Sequence, residues 1–185
     1  MMKKYLITSR EHYTDTPAVF RSILQESLKT HLPEFALYRD KQNPHYNIQA
    51  EHFLDVCKNF YGLKSFLHQN YPLAAKLEAT GVHLTSQQFE DIPKAKALGL
   101  EVIISTHTHE EVLRAESLGA DYVTYSPIFT TPNKGEPKGI QDLKMVLKLT
   151  NIKIFALGGI VSDTELQALA QTDVYGFSSI RYFYT

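Results

Sequence analysis

The chain reads as a compact (β/α)8 barrel, and three observations predict it. Short apolar runs alternate with segments of helical periodicity along the whole length. Eight of the apolar runs qualify as strands. Two of the later ones run into loops rich in chemistry, Asp121-Tyr-Val-Thr-Tyr-Ser-Pro-Ile-Phe-Thr-Thr-Pro-Asn-Lys-Gly135 and Phe155-Ala-Leu-Gly-Gly-Ile160. Parallel strands that end in such loops place a site at their C-terminal edge. The 185 residues favour one domain over 1–185, below the ~250 residues usual for this barrel. The final helix is therefore expected to be short or missing. A doubly wound open sheet is the competing architecture, but the Gly-x-Gly-x-x-Gly turn it often carries after the first strand is absent.

In order, the strand candidates are Tyr5–Thr8, Phe35–Tyr38, Ser65–His68, Gly81–Leu84, Glu101–Ser105, Tyr122–Tyr125, Ile152–Leu157 and Val174–Ser178. Each is short, apolar and β-branched or aromatic. Between them, apolar residues recur at helical spacing. Val19, Ile23, Leu24 and Leu28 share one face; Phe53, Leu54, Cys57 and Phe60 share another; Leu143, Val146, Leu147 and Thr150 share a third. Ser162 with Glu165 three residues later reads as a capping box. Asp40–Tyr46 is the most polar connection of the first half.

Composition narrows the functional classes. With 19 basic and 20 acidic residues there is no footprint for nucleic acid or another polyanion. The single Cys57 rules out an intramolecular disulfide and reads as a buried structural thiol. The N-terminal apolar run is too short for a signal peptide or a membrane span. A soluble cytoplasmic protein is the expectation.

Glycines at Gly158 and Gly159 let backbone N–H groups approach a ligand closely. Loops after the seventh and eighth strands of such barrels often bind phosphate, and Ser178 and Ser179 add hydroxyls at the eighth. Each feature alone is an ordinary turn or strand end; on adjacent strands they favour a phosphate site. Arg39 and Lys41 follow the second strand and suit an anion at the barrel mouth. Lys134 stands among Thr130, Thr131 and Asn133, a setting suited to a phosphoryl oxygen. His107 and His109 form a His-x-His pair without a third ligand, and capping by Thr106 or Thr108 explains that segment more simply. His83 alternates with Val82 and Leu84 and reads as a hydrogen-bonded core histidine.

Taken together, Tyr5-Leu-Ile-Thr8, Tyr38-Arg-Asp-Lys41, Gly81-Val-His-Leu84, Ser105-Thr-His-Thr108, Ala120-Asp-Tyr-Val123, Pro127-Ile-Phe-Thr-Thr131, Lys134 and Ala156-Leu-Gly-Gly-Ile160 resemble the thiamine phosphate synthase/TenI superfamily over nearly the whole chain. The resemblance implies a TIM barrel. The family's synthase joins hydroxymethylpyrimidine diphosphate to thiazole phosphate and releases pyrophosphate. By that resemblance Arg39 and Lys41 match the basic pair for the diphosphate, Lys134 the lysine after the sixth strand, and Ser105 a serine near the pyrimidine. Thr131 and Asn133 fall where the family usually has threonines near the thiazole phosphate. Gly159 and Ser179 match its phosphate-binding backbone and serine.

The departures shape the expected function. The two aspartates that hold Mg2+ in the synthase are replaced by Gln69, after His68, and by Gln88, in Thr85-Ser86-Gln87-Gln88. A glutamine offers only a neutral carbonyl to a hard cation; Glu90 and Asp91 do not have the spacing to replace it. Leu37 stands where the family has a glutamine for the pyrimidine. TenI-like tautomerases lack the metal pair but carry a histidine where this chain has Pro127. The expectation is thus a metal-independent, TenI-like protein that binds a phosphorylated thiazole or thiamine phosphate. It either tautomerises its ligand with an unidentified acid or base, Ser105, Lys134 and His68 being the candidates, or binds without turnover. The alternatives are a divergent synthase, for which Mg2+ would be the cofactor, and a non-catalytic barrel for another phosphorylated metabolite. No membrane or nucleic-acid partner is expected; the resemblance implies self-association.

Overall fold

The computed structural model describes residues 1–184. Its eight parallel strands are β1 (Lys3–Ile7), β2 (Phe35–Tyr38), β3 (Lys64–His68), β4 (Gly81–Leu84), β5 (Glu101–Thr106), β6 (Tyr122–Tyr125), β7 (Lys153–Leu157) and β8 (Gly176–Ser179). They pair in sequence order, and β8 returns to β1 through Lys3↔Gly176 and Leu6↔Ser179, closing the barrel. Closure excludes the open doubly wound sheet. The ends differ from the sequence expectation by up to two residues. Lys64 begins a strand despite its charge, and Thr8, Ile152, Val174 and Tyr175 lie outside the strands expected to contain them.

Helices α1 (Arg10–Tyr13), α2 (Pro17–His31), α3 (Tyr46–Cys57), α4 (Tyr71–Lys76), α5 (Ile92–Ala97), α6 (His109–Ser117), α7 (Gly139–Leu147) and α8 (Asp163–Leu169) lie between the strands. The last is held by the expected capping box of Ser162 and Glu165. After β8 only a single 3₁₀ turn follows, Arg181–Phe183. One helix face is rotated from expectation: Val19 is 45% exposed, and Phe20 takes its place beside Leu24 and Leu28 in the core. Phe53, Leu54 and Cys57 are buried as expected, and burial pushes the Cys57 thiol up, out of the reactive range. Among the described residues, no helix is long and apolar enough to cross a membrane.

The core has two shells. One lies between sheet and helices. The other fills the barrel with large side chains, including Tyr5, Phe35, Phe66, Tyr122 and Phe155. Their rings meet at 4.9 Å for Phe35–Phe155 and 5.2 Å for Tyr5–Phe155. So many rings fit only because two inward positions carry none: a Cβ on Gly81 would lie 2.7 Å from the Phe66 ring, and one on Gly176 would lie 2.7 Å from Phe155. At the N-terminal end Lys64 Nζ donates to Glu101 at 2.8 and 3.0 Å and to Tyr122 Oη at 3.1 Å. This polar plug closes the floor and leaves the C-terminal mouth as the place for chemistry.

Candidate functional site

At the C-terminal ends of β7 and β8 a cavity of about 260 Å³ is lined by Ser9, His12, Thr131, Gly158, Gly159, Ser178, Ser179 and Arg181, among others. Gly158 and Gly159 sit at φ +103° and +69°, which other residues rarely adopt. They also let the β6 loop close against β7. Ile128 N donates to Leu157 O and Phe129 N to Gly158 O, while a Cβ on Gly159 would lie 2.5 Å from Thr130 O. Thus the turn serves both loop packing and an accessible backbone. Ser178 is fully buried, with Oγ 3.5 Å from Ala156 O. Ser179 Oγ donates to Ile160 O at 2.7 Å and accepts from Tyr182 N, so it braces the pocket wall.

On the β2 side, Arg39 is half-buried and its backbone N–H donates to Thr8 Oγ1. Burial lowers its guanidinium pKa, and Asp40 partly offsets this. The charge of Arg39, then burial, then the charge of Lys134 lower that of Lys41. The charges of Arg39, from the same loop, and of Lys134, from a loop far away in sequence, are thus both felt at Lys41. Among the described residues, none of the three cations forms an ion pair. Cations that Asp40 compensates only in part suit an anion at the barrel mouth. Asn133 remains on the exposed loop at φ +60° and does not line the cavity; Thr131 does.

Two histidines face the barrel axis from adjacent strands, His68 in register with His83, their ring centroids 6.3 Å apart. Burial, Arg39 and Lys41 together lower the pKa of His68 to about 3. Burial, then His68 and Arg39, hold that of His83 well below the ordinary value. Both are therefore neutral at neutral pH. His83 bridges Tyr5 Oη at 2.7 Å and Ser105 Oγ at 3.0 Å, as a hydrogen-bonded core histidine.

The depressed values carry a pH signature. The unfolded chain takes up these protons below about pH 6.5, whereas the folded chain resists them. Stability from the two rings is full above that pH and falls as pH drops below it, for His68 down to about 3, by up to about 1.4 kcal/mol per pH unit for each ring. Melting temperatures from about pH 7.5 to about pH 4.5 should decline, and less steeply in a His68→Gln variant. Equal slopes in the two proteins would show that His68 protonates freely in the fold.

The positions of the family's metal carboxylates are also determined. Gln88 Oε1 accepts from Thr85 N at 3.1 Å and Thr85 Oγ1 at 3.4 Å, and its Nε2 donates to Gln69 O and Asp91 Oδ2, each at 3.2 Å. Both carbonyl lone pairs are engaged within the loop. Gln69 lies exposed at φ +66°. Asp91 pairs with Lys94 and Glu90 with Arg114. This donor set does not fit a hard divalent cation, which wants free, preferably anionic oxygens. The His-x-His pair is split: His107 contacts Ser126, while His109 contacts Asp142 at 3.0 Å, which Tyr125 also bonds. Thr108 caps α6, whereas Thr106 bonds Thr124 O.

Arg181 and His12 were not among the residues singled out from sequence. Arg181 follows the last strand without a motif, and His12 is brought in by the short α1, where it stacks on Tyr184 at 4.4 Å. A lone arginine three residues beyond Ser178 was the only available signal.

A family profile described as thiamine monophosphate synthase matches residues 4–183. A putative thiamine-phosphate synthase 2 of Aquifex aeolicus is 30% identical over 183 residues, covering 97% of this chain and 96% of the relative. A thiamine-phosphate synthase of Vibrio parahaemolyticus is 33% identical over 124 residues, 64% of this chain and 60% of the relative. Among solved structures, a thiamine phosphate pyrophosphorylase from Pyrococcus furiosus shares the fold at a TM-score of 0.83 and 24% identity, covering 97% of this chain and 85% of that one.

Proposed function

The chain belongs to the thiamine monophosphate synthase family, and from that premise we propose that it binds a phosphorylated thiazole or thiamine phosphate at the strand-end mouth without a metal ion. The observation that carries this reading is the pairing of two facts. Arg39, Lys41 and Lys134 form no ion pair among the described residues, and the charges of Arg39 and Lys134 both bear on Lys41, while Gln88 spends both carbonyl lone pairs on Thr85. Charge for an anion is present, whereas positions 69 and 88 offer no free anionic oxygen to Mg2+. The glycine turn and Arg181 supply the phosphate end, with backbone N–H groups and a planar cation. His68 supplies a neutral imidazole close to the cations. Held at a pKa of about 3 in the empty protein, it can serve as a base for tautomerisation only once a bound anion offsets Arg39 and Lys41, a role that in TenI-like relatives falls to the position of Pro127.

The retained Arg39, Lys41 and Lys134 favour a second reading, a divergent synthase. Titration calorimetry separates the two. Thiazole phosphate is expected to bind with the same affinity with and without Mg2+, and hydroxymethylpyrimidine diphosphate to gain nothing from the metal. Metal-dependent binding of the diphosphate would overturn the metal-free reading. Turnover of a carboxythiazole phosphate, abolished by His68→Gln, would establish the tautomerase.

A further inference from the structure

One peptide group at the mouth is held from both ends by side-chain hydroxyls. Tyr38 closes β2, and Arg39 follows it. The carbonyl of their shared peptide accepts from Tyr46 Oη at 3.2 Å, and its N–H donates to Thr8 Oγ1 at 3.1 Å. Thr8 stands just past β1, and Tyr46 is the first residue of α3, so the two hydroxyls come from different elements. Tyr46 has a second partner: its Oη accepts the His68 N–H at 3.0 Å. A carbonyl cannot donate and an N–H cannot accept, so the phenol gives its hydrogen to Tyr38 and a lone pair to His68. Burial raises its pKa and keeps it protonated for this role.

The knot sits at the last rung between β2 and β3. Lys64 N donates to Glu34 O at 2.9 Å, and parallel ladder bonds recur every second residue, so the row leads through Ala36 and Phe66 to Tyr38 O and His68 N. Tyr46 Oη bonds both groups of that rung. Its ring stacks on Tyr38 at 4.7 Å, and Phe20 meets Tyr38 at 5.5 Å, which holds the phenol in place. Along β2, Leu37 faces the barrel axis and Tyr38 the helices. Continued alternation turns Arg39 back toward the axis, where its charge is felt at His68 and His83. A side chain whose backbone is free loses more entropy when an anion arrives than one whose peptide is already fixed. We propose that Tyr46 and Thr8 act as positioning residues that clamp the Tyr38–Arg39 peptide and so hold the Arg39 guanidinium ready for an anion. Through its second bond, Tyr46 also ties the backbone of His68 to that of the cation. The anion rests on the proposed function; the clamp does not.

Amide hydrogen exchange without ligand reads the clamp. Tyr46→Phe keeps the ring stack and should speed exchange at His68 about tenfold. Thr8→Val keeps the shape and should speed exchange at Arg39 while leaving His68 unchanged. Unchanged exchange at both amides would overturn the clamp. Titration with inorganic pyrophosphate, without metal, reads its consequence. Each variant is expected to weaken pyrophosphate about fivefold, and Thr8→Ser to restore the parent affinity. In an Arg39→Ala background, Tyr46→Phe should change the affinity by less than about twofold, because the residue it acts through is gone. A general loosening of the mouth would lower affinity by the same factor in both backgrounds, and that additivity would overturn the proposal. A parent protein that ignores pyrophosphate would defeat the anion reading of Arg39 and the proposal with it, whereas normal parent binding with additive losses would defeat the positioning alone.

Discussion

Gly81→Ala is expected to cost the barrel about 3 kcal/mol or more of stability. The added Cβ would lie 2.0 Å from Glu101 O, 2.8 Å from Glu101 C and 2.7 Å from the Phe66 ring. Two of these atoms are backbone of the adjacent strand, in register with Gly81 itself. A side chain can turn aside; a paired strand cannot, and its displacement would also move Ile103 and Ser105 on the same inner face. Gly62→Ala provides the control. It has the same left-handed penalty that many loop glycines share, at φ +79°, but nothing within 4 Å, and should cost only about 1 kcal/mol. Urea denaturation of both variants decides the matter. A Gly81→Ala midpoint close to that of Gly62→Ala would show that β4 and β5 part easily, contrary to the tight ring packing described above.

Arg39→Ala is expected to weaken a phosphorylated ligand by roughly a hundredfold, about 2–3 kcal/mol. Its guanidinium is desolvated, its charge bears on Lys41, and Asp40 offsets it only in part, with no ion pair among the described residues. Such a group lowers stability in the empty protein and gains it back only when an anion arrives. The variant should therefore melt no lower than the parent while losing affinity. Arg39→Lys keeps the charge but not the two-pronged geometry, and should fall between. Calorimetry with thiazole phosphate beside a melting curve tests both halves. Loss of melting temperature together with affinity would mean that Arg39 supports the fold, not the ligand.

Much of this architecture was legible because barrel strands are buried on both faces. Phe35–Tyr38 and Gly81–Leu84 read as strands from apolar runs alone and are strands with the same ends. Lys64, outside the expected Ser65–His68, was not legible as a strand residue, because lysine signals a surface, whereas Lys153 lies within the expected Ile152–Leu157. Here their stems lie along the barrel wall, and both Nζ atoms sit 5.5–5.6 Å over the Tyr122 ring. The first helical face was misread at Val19 because periodicity identifies a stripe but not its phase, and the larger Phe20 took the core position.

The site divides in the same way. Gly158, Gly159, Ser179, Arg39, Lys41 and Lys134 stand out as residue types at strand ends. Of these the cavity at β7 and β8 is lined by Gly158, Gly159 and Ser179, whereas Arg39, Lys41, Lys134 and the exposed, left-handed Asn133 do not line it. The loss of the metal carboxylates was plain from Gln69 and Gln88. That the Gln88 carbonyl already serves Thr85 is a matter of loop geometry, which no spacing rule expresses. Likewise, alternation suggested that His83 is internal, but its bridge between Tyr5 and Ser105 joins residues 78 and 22 positions away.

The Lys64–Glu101–Tyr122 plug has a kinetic consequence. Below the mouth the interior is filled with rings and its floor is sealed by an ion pair, so the chamber is a cul-de-sac. Arrivals and departures share one doorway. Under the proposed function, an occupant anchored by its phosphate cannot be pushed out from behind, and a newcomer waits for it to leave. A tighter grip at the glycine turn would then lengthen the time for which the doorway stays occupied.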